Sequence, residues 1–359
     1  MLNYTVLDSF PVATGINPLS LVKSSDGRLY GLAAHSADFH ADGAFFRMNA
    51  QGAVKELMVF NNAGELLIEP RGAPFQAADG NFYWAMHGGG SGRSGGVLGL
   101  TPSGDFVMQV DFPAGTSAAG PLMQAGDGNF YGLSETGGYQ NCGFVYQVTL
   151  AGVFSEMAGF DCLRAGRFPQ DGLIPGRNAN ELIGVTKEGG AEGSGTIFNY
   201  SLQNDLGSLY TFRRATEGGN PLGAPVRAAD GSFYGTCSTS GPGGYGTVWK
   251  LGLDLSLSVV HAFSGSLGKV NSASPVSRLT LGSDGNFYGV AAFNGDPLHF
   301  GYGAIFRVAA AGATRTLVSF DGTNGRAPTS APVEMAPGVF FGVTPWGGSS
   351  DDGVAYKLK

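Results

Sequence analysis

Apolar positions along this chain fall in short alternating runs, four to a unit, and each run is closed by Gly, Pro, Asn or Asp. A period of two between inward and outward residues marks a half-buried strand, and turn residues this frequent leave no room for longer elements. The first unit shows the pattern. Strands are expected from Pro18 to Ser25, Arg28 to Ala34, Ala44 to Asn49 and Ala53 to Phe60. Asp26-Gly27 is the tight turn between the first two, because Gly accepts positive φ. Nowhere does apolar spacing at i, i+3, i+4 and i+7 persist for a dozen residues, so no long helix is expected.

A short phrase recurs seven times: a turn dipeptide, an aromatic pair and a closing Gly, as in Asp127-Gly128-Asn129-Phe130-Tyr131-Gly132. Its closing positions are Gly31, Trp84, Gly132, Gly184, Gly235, Gly289 and Gly342, separated by 48 to 54 residues. Three copies depart from the phrase. Trp84 replaces the closing Gly, the copy at Asn180-Glu181-Leu182-Ile183-Gly184 lacks its aromatic pair, and the last has Pro337 at its turn. Four strands in roughly 50 residues is the size of a propeller blade. The last unit stops after its third strand, Gly353 to Lys357, while the chain opens with an orphan strand, Tyr4 to Phe10, that matches the fourth strand of other units. The expected fold is therefore all-β: one seven-bladed β-propeller domain over residues 1–359, with four-stranded blades and the N-terminal strand completing the last sheet.

The phrase is followed by a Gly-Gly loop and a strand such as Gly246-Thr247-Val248-Trp249-Lys250, Gly195-Thr196-Ile197-Phe198 or Gly303-Ala304-Ile305-Phe306-Arg307. In this the sequence resembles the Gloeobacter/Verrucomicrobia (GloVer) tandem-repeat family over nearly its whole length. The resemblance implies an exported or surface-displayed repeat protein, and it brings no catalytic residues to assign to individual positions.

Composition narrows the field. The repeat fills all 359 residues without a linker, and 61 Gly with only 14% charged residues suit a turn-rich β protein. A net charge of −7, with no run of Lys or Arg, excludes duplex nucleic acid as an expected partner. No apolar stretch is long enough to span a bilayer and the first residues begin a strand. An extracellular or cell-surface monomer whose leader is absent from this chain is expected. Cys142 opens the third strand of one unit and Cys162 follows its fourth, where either a disulfide or two thiols at opposite edges fit; Cys237 reads as a small buried thiol. No Cys or His pair has ligand spacing, so neither metal nor cofactor is expected.

Loops after each second strand should surround one mouth of the ring, and the residues there vary: His35, His87, Glu135, Lys187 and Glu188, Ser238, Phe293 and Trp346. His87 stands out, since Trp84-Ala85-Met86-His87 breaks the repeat and leads to a Gly-rich loop with Arg93. An imidazole titrates near neutrality and suits proton transfer, with a loop-bracing histidine as the competing reading. His40 and His299 occupy equivalent loops; His261 reads as strand packing. Loops between units add Arg71, Arg164, Arg167, Arg213, Arg214, Lys269 and Arg326, several of which are expected to converge, although Asp161, Asp171, Glu217, Asp321, Asp351 and Asp352 offer them pairing partners. Gly88-Gly89-Gly90 has no following helix and is not a phosphate loop, and Ser238 lacks a nucleophile elbow.

Guanidinium groups bind carboxylates bidentately, so a mouth with Arg, His and Tyr suits an acidic sugar chain. Three readings follow. In a polysaccharide lyase, His87 or Tyr139 takes the proton beside a uronate carboxylate while arginines such as Arg93 neutralise it, and Trp84, Arg71, Arg164, Arg167, Arg213, Tyr245, His299 and Trp346 hold the glycan. In an inverting glycoside hydrolase, Glu135 and Glu188 of adjacent units form the carboxyl pair. In a non-catalytic glycan- or protein-binding ring, Trp346, Tyr245 and Phe293 stack on a partner.

Overall fold

A computed structural model describes residues 3–10, 16–35, 41–61, 67–264, 273–293 and 302–359. Seven antiparallel sheets follow one another in chain order, at 16–61, 67–111, 123–159, 167–211, 226–264, 273–319 and 333–358. The seventh is completed by Tyr4–Ser9, which pairs with Val354–Leu358, so head and tail of the chain share one blade as the repeat count requires. Among the described residues the helical content is one turn, Arg214–Glu217, and a short 3-10 segment, Tyr139–Asn141. The first blade's third strand begins at Ala41, earlier than the apolar run alone suggests.

The repeated phrase is a structural device whose every letter has a contact. Asp127 accepts from the Asn129 backbone N–H at 3.1 Å and from the Tyr131 hydroxyl at 2.8 Å, and Gly128 takes φ 82° between them. Asp26, Asp79 and Asp284 accept from Tyr30, Tyr83 and Tyr288 in the same way. Burial works against each of these carboxylates, yet the hydrogen bonds hold them below their usual range. The phrase's Tyr and Phe then join neighbouring blades: Tyr30 packs on Phe82, Tyr83 on Phe130, Tyr234 on Phe287 and Tyr288 on Phe340, with ring centroids 4.1–4.4 Å apart. Each such pair adds about 0.5–1.5 kcal/mol beyond the area it buries.

The closing Gly makes room for the aromatic residue opposite it on the third strand. A Cβ on Gly31, Gly132, Gly184, Gly235, Gly289 or Gly342 would overlap the ring of Phe46, Tyr146, Phe198, Trp249, Phe306 or Tyr356. In the second blade the exchange runs the other way. Trp84 stands opposite Leu98, so the large ring comes from the second strand and the smaller side chain from the third. Trp84 is fully buried, 5.0 Å from the Phe45 ring and 5.9 Å from that of Phe60. Its expected place among sugar-contacting residues is therefore corrected: it fills the space between the first two blades, where no ligand reaches it.

A second contact locks blade to blade at the inner edge. Gly43, Gly143, Gly195, Gly246, Gly303 and Gly353 lie at or near the starts of third strands at positive φ, and each packs against a proline in the inner segment of the next blade: Pro70, Pro169, Pro221, Pro275, Pro328 and Pro18. An added Cβ would come within 2.5–3.0 Å of the proline ring. The residues before these prolines, Asn17, Glu69, Phe168, Asn220, Ser274 and Ala327, have φ of 50–60°, a costly conformation away from Gly. Cys142 and Cys162 are bridged, and Cys237 is a buried free thiol.

Candidate functional site

The inner strand of the second blade, Leu67–Gln76, and its neighbour, Phe82–Gly89, place Arg71 opposite Ala85 and Pro70 opposite Met86. Glu69 thus faces His87 across the ladder, and Arg71 is its diagonal neighbour. The third blade supplies the other wall. Ser117 Oγ lies 3.3 Å from His87 Nδ1, and Ser117 is itself fixed, its N–H donating to Ser134 Oγ and its carbonyl accepting from the Glu135 N–H. The fourth blade reaches in through Gln170, whose side-chain amide donates to Glu135 at 3.0 Å. His87, Arg71, Ser117, Glu135 and Gln170 therefore meet where three blades adjoin.

His87 is partly buried, and burial, reinforced by the Arg71 charge, lowers its pKa; the Glu69 and Glu135 carboxylates pull the other way without reversing the shift. At neutral pH the imidazole is uncharged and can accept a proton or a hydrogen bond. Arg71 is exposed and makes no ion pair among the described residues.

Deeper in the ring, Arg278 forms a two-point bridge to Asp171, Nε to Oδ2 and Nη2 to Oδ1, both at 3.0 Å, and Asp171 also accepts from the Ala224 N–H at 2.8 Å. This ties the inner strand of the fourth blade to the inner segments of the fifth and sixth. The Arg278 side chain keeps 39% of its surface accessible. Sequence reading missed Arg278, Ser117 and Gln170. Gln170 follows Pro169 as Arg71 follows Pro70, and aligning the inner-strand prolines would have found it.

The arginines expected to converge are divided. Arg167 binds Glu188 through two N–H groups, at 3.0 and 2.7 Å, which occupies one half of the proposed hydrolase pair as Gln170 occupies the other. Arg326 pairs with Asp351 at 2.6 Å and lies 5.5 Å from the Trp346 ring centre. Trp346 and Tyr245 are exposed, at 41% and 46%. Arg164 and Arg213 line a separate cleft with Tyr210. Tyr139 is 68% exposed on its 3-10 turn, where its hydroxyl accepts from the Gln140 amide, and Arg93 is exposed on the Gly-rich loop at φ 53°. No hydrogen bond or ion pair joins either of them to His87 among the described residues. His261 packs edge-on against Phe263. His40, His299 and Lys269 lie outside the described residues, and no group of three potential metal ligands occurs among the described ones. No helix of the described residues is long and apolar enough to cross a membrane.

Solved structures with similar folds include the extracellular domain of a one-component system from B. thetaiotaomicron. It has a TM-score of 0.61 at 12% identity, and the match covers all of this chain and 42% of that one. A puromycin hydrolase matches with TM-score 0.59 at 12% identity, over 92% of this chain and 50% of the other, so the chain spans about half the length of these two proteins. A periplasmic gluconolactonase from Pseudomonas aeruginosa matches with TM-score 0.53 at 16% identity, over 88% and 86%. At these identities the likeness is one of fold. No curated protein matches the sequence. The model of the Gloeobacter/Verrucomicrobia repeat matches residues 2–178, 69–280 and 179–359, so with its seven blades and its repeated contacts accounted for, the chain belongs to the Gloeobacter/Verrucomicrobia repeat family.

Proposed function

We propose that this propeller binds uronic-acid-containing carbohydrate at the junction around His87 and Arg71. The observation that carries the reading is an exposed guanidinium without an ion pair, next to an imidazole kept neutral, with the Ser117 hydroxyl and Gln170 amide at hand. A carboxylate takes two N–H groups from an arginine in one plane, and sugar hydroxyls pair with neutral donors and acceptors. The nearby Glu69 and Glu135 favour ligands that present hydroxyls toward them. The Cys142–Cys162 bridge supports an extracellular or surface location, because disulfides persist in oxidising compartments.

A second reading, β-elimination, is favoured by the lowered pKa of His87. The proton beside the uronate carboxylate would pass to the imidazole, a carbon–carbon double bond would form, and the bond to the leaving oxygen would break, that oxygen taking a proton from solvent. The hydrolase reading has less support, since Arg167 and Gln170 already engage both glutamates. A panel of uronate polymers separates these readings. Saturable binding without unsaturated product supports a binder, accumulation of unsaturated product supports the lyase, and neither across the panel overturns the proposal.

A further inference from the structure

A separate cleft lies away from this junction. It encloses about 730 Å³ between the outer strand of the fourth blade and two loops, and is lined by Leu163, Arg164, Gly190, Tyr210, Thr211 and Arg213 among others. We propose that this cleft is a second binding site, for a carboxylate- or sulfate-bearing sugar unit, with Arg164 and Arg213 gripping the anion. The ligand class rests on the reading above; the location does not.

Two guanidinium groups at the cleft are open to a ligand. Arg164 is exposed and has no ion pair among the described residues. Arg213 reaches Glu217 only at 3.6 Å and keeps 69% of its side chain accessible, so its guanidinium can turn toward a ligand. The surrounding acids are held by local N–H and O–H donors rather than by Arg164. Glu217 is buried, accepting from the Tyr210 hydroxyl at 2.7 Å and the Arg213 N–H at 2.9 Å. Asp161 accepts from the Leu163 and Ala165 N–H groups, and Glu192 from the Arg214 N–H.

The wall carrying Arg164 is also fixed in place. Cys162 is tied to Cys142, Asp161 shapes the turn, and the Gly190 N–H donates to the Leu163 carbonyl at 2.7 Å. Leu163, 73% exposed, and the half-buried Tyr210 give the cleft an apolar side on which a pyranose ring can rest, and Ser208 and Thr211 bring hydroxyls. A volume within the usual 300–1,000 Å³ of ligand sites accommodates a short oligosaccharide.

Titrating oligogalacturonate, a sulfated galactan oligosaccharide and a neutral galactan oligosaccharide into the protein tests the site by calorimetry and by chemical-shift changes. Binding of either anionic sugar, at least tenfold weaker in Arg164→Ala and in Arg213→Gln and undetectable for the neutral one, is the expected result. The two anionic arms tell carboxylate from sulfate recognition. Arg164→Ala alters an exposed residue without a partner, so its fold is safe, and Arg213→Gln keeps a donor for Glu217. The cleft's affinity is read from the shifts of its own Leu163, Gly190 and Tyr210 amides, separately from those of Ser117 and Gln170 at the junction. Native affinity in both arginine variants, or no binding of either anion, overturns the second site. If only the Ser117 and Gln170 amides shift, the junction stands and the cleft falls.

Discussion

Trp84 offers a sharp test of how the blades are packed. In six blades a Gly on the second strand faces an aromatic residue on the third; in the second blade Trp84 faces Leu98 in the same space between blades. Trp84→Gly would remove a side chain that is 0% exposed. Deleting a buried aromatic side chain costs about 3–5 kcal/mol, and Gly within a strand costs about 0.5–1 more. With an unfolding entropy of about 2.1 cal/mol/K per residue, this corresponds to a melting temperature about 5–8 °C lower. Leu98→Phe alone overfills the space and costs about 1–3 kcal/mol. Combined, the two substitutions recreate the arrangement of the other blades, and the double variant should regain at least half of the loss. Scanning calorimetry of all four proteins measures the coupling. Additive losses, or a single Trp84→Gly variant that melts like the parent, would refute the exchange.

Other consequences follow from the same contacts. Reducing the Cys142–Cys162 bridge, or replacing both residues by Ser, frees a loop of 20 residues and should cost about 3 kcal/mol, read as a melting shift of about 4 °C, while buried Cys237 contributes nothing to the reductant effect. Because the folded-state pKa of His87 lies below the unfolded value, the unfolded chain takes the proton first as pH falls. His87 therefore lowers stability from about pH 6.5 downward until the folded pKa is passed, and a His87→Gln variant should lose that decline in denaturant titrations across pH. Arg71→Ala should raise the His87 pKa, followed by its imidazole proton resonance; an unchanged or lower value would place Arg71 elsewhere. Gly246→Ala brings a Cβ against the Cys237 carbonyl and Pro275 at φ 94°, and should unfold at lower denaturant than Gly244→Ala, whose Cβ meets nothing, although both residues have positive φ.

The architecture was legible because its contacts repeat. The Asp, Gly, Phe and Tyr of each phrase recur at the same spacing since each closes one turn and one boundary between blades. Trp84 was misread because its compensating partner, Leu98, sits on the neighbouring strand, and only the register reveals the exchange. The arginines were harder for a related reason: sequence says which loop a residue occupies but not its distance from the axis. Arg71 follows an inner-strand proline, whereas Arg164 and Arg213 follow the outer strands Phe154–Gly159 and Asp205–Thr211, which carries them to the rim. His87 was visible as a departure from the repeat. Its neighbours Ser117 and Gln170 belong to other blades and were not. The cysteine pairing was likewise settled by register, with Phe144 opposite Gly159 drawing the two loop ends to a Cα separation of 5.4 Å.

The most direct measurement is a crystal structure of the protein soaked with an oligouronate at saturating concentration. The account predicts a uronate carboxylate on the Arg71 guanidinium, with the sugar ring beside His87 and Gln170. A ligand elsewhere with the junction empty, or no ligand at all, would contradict it.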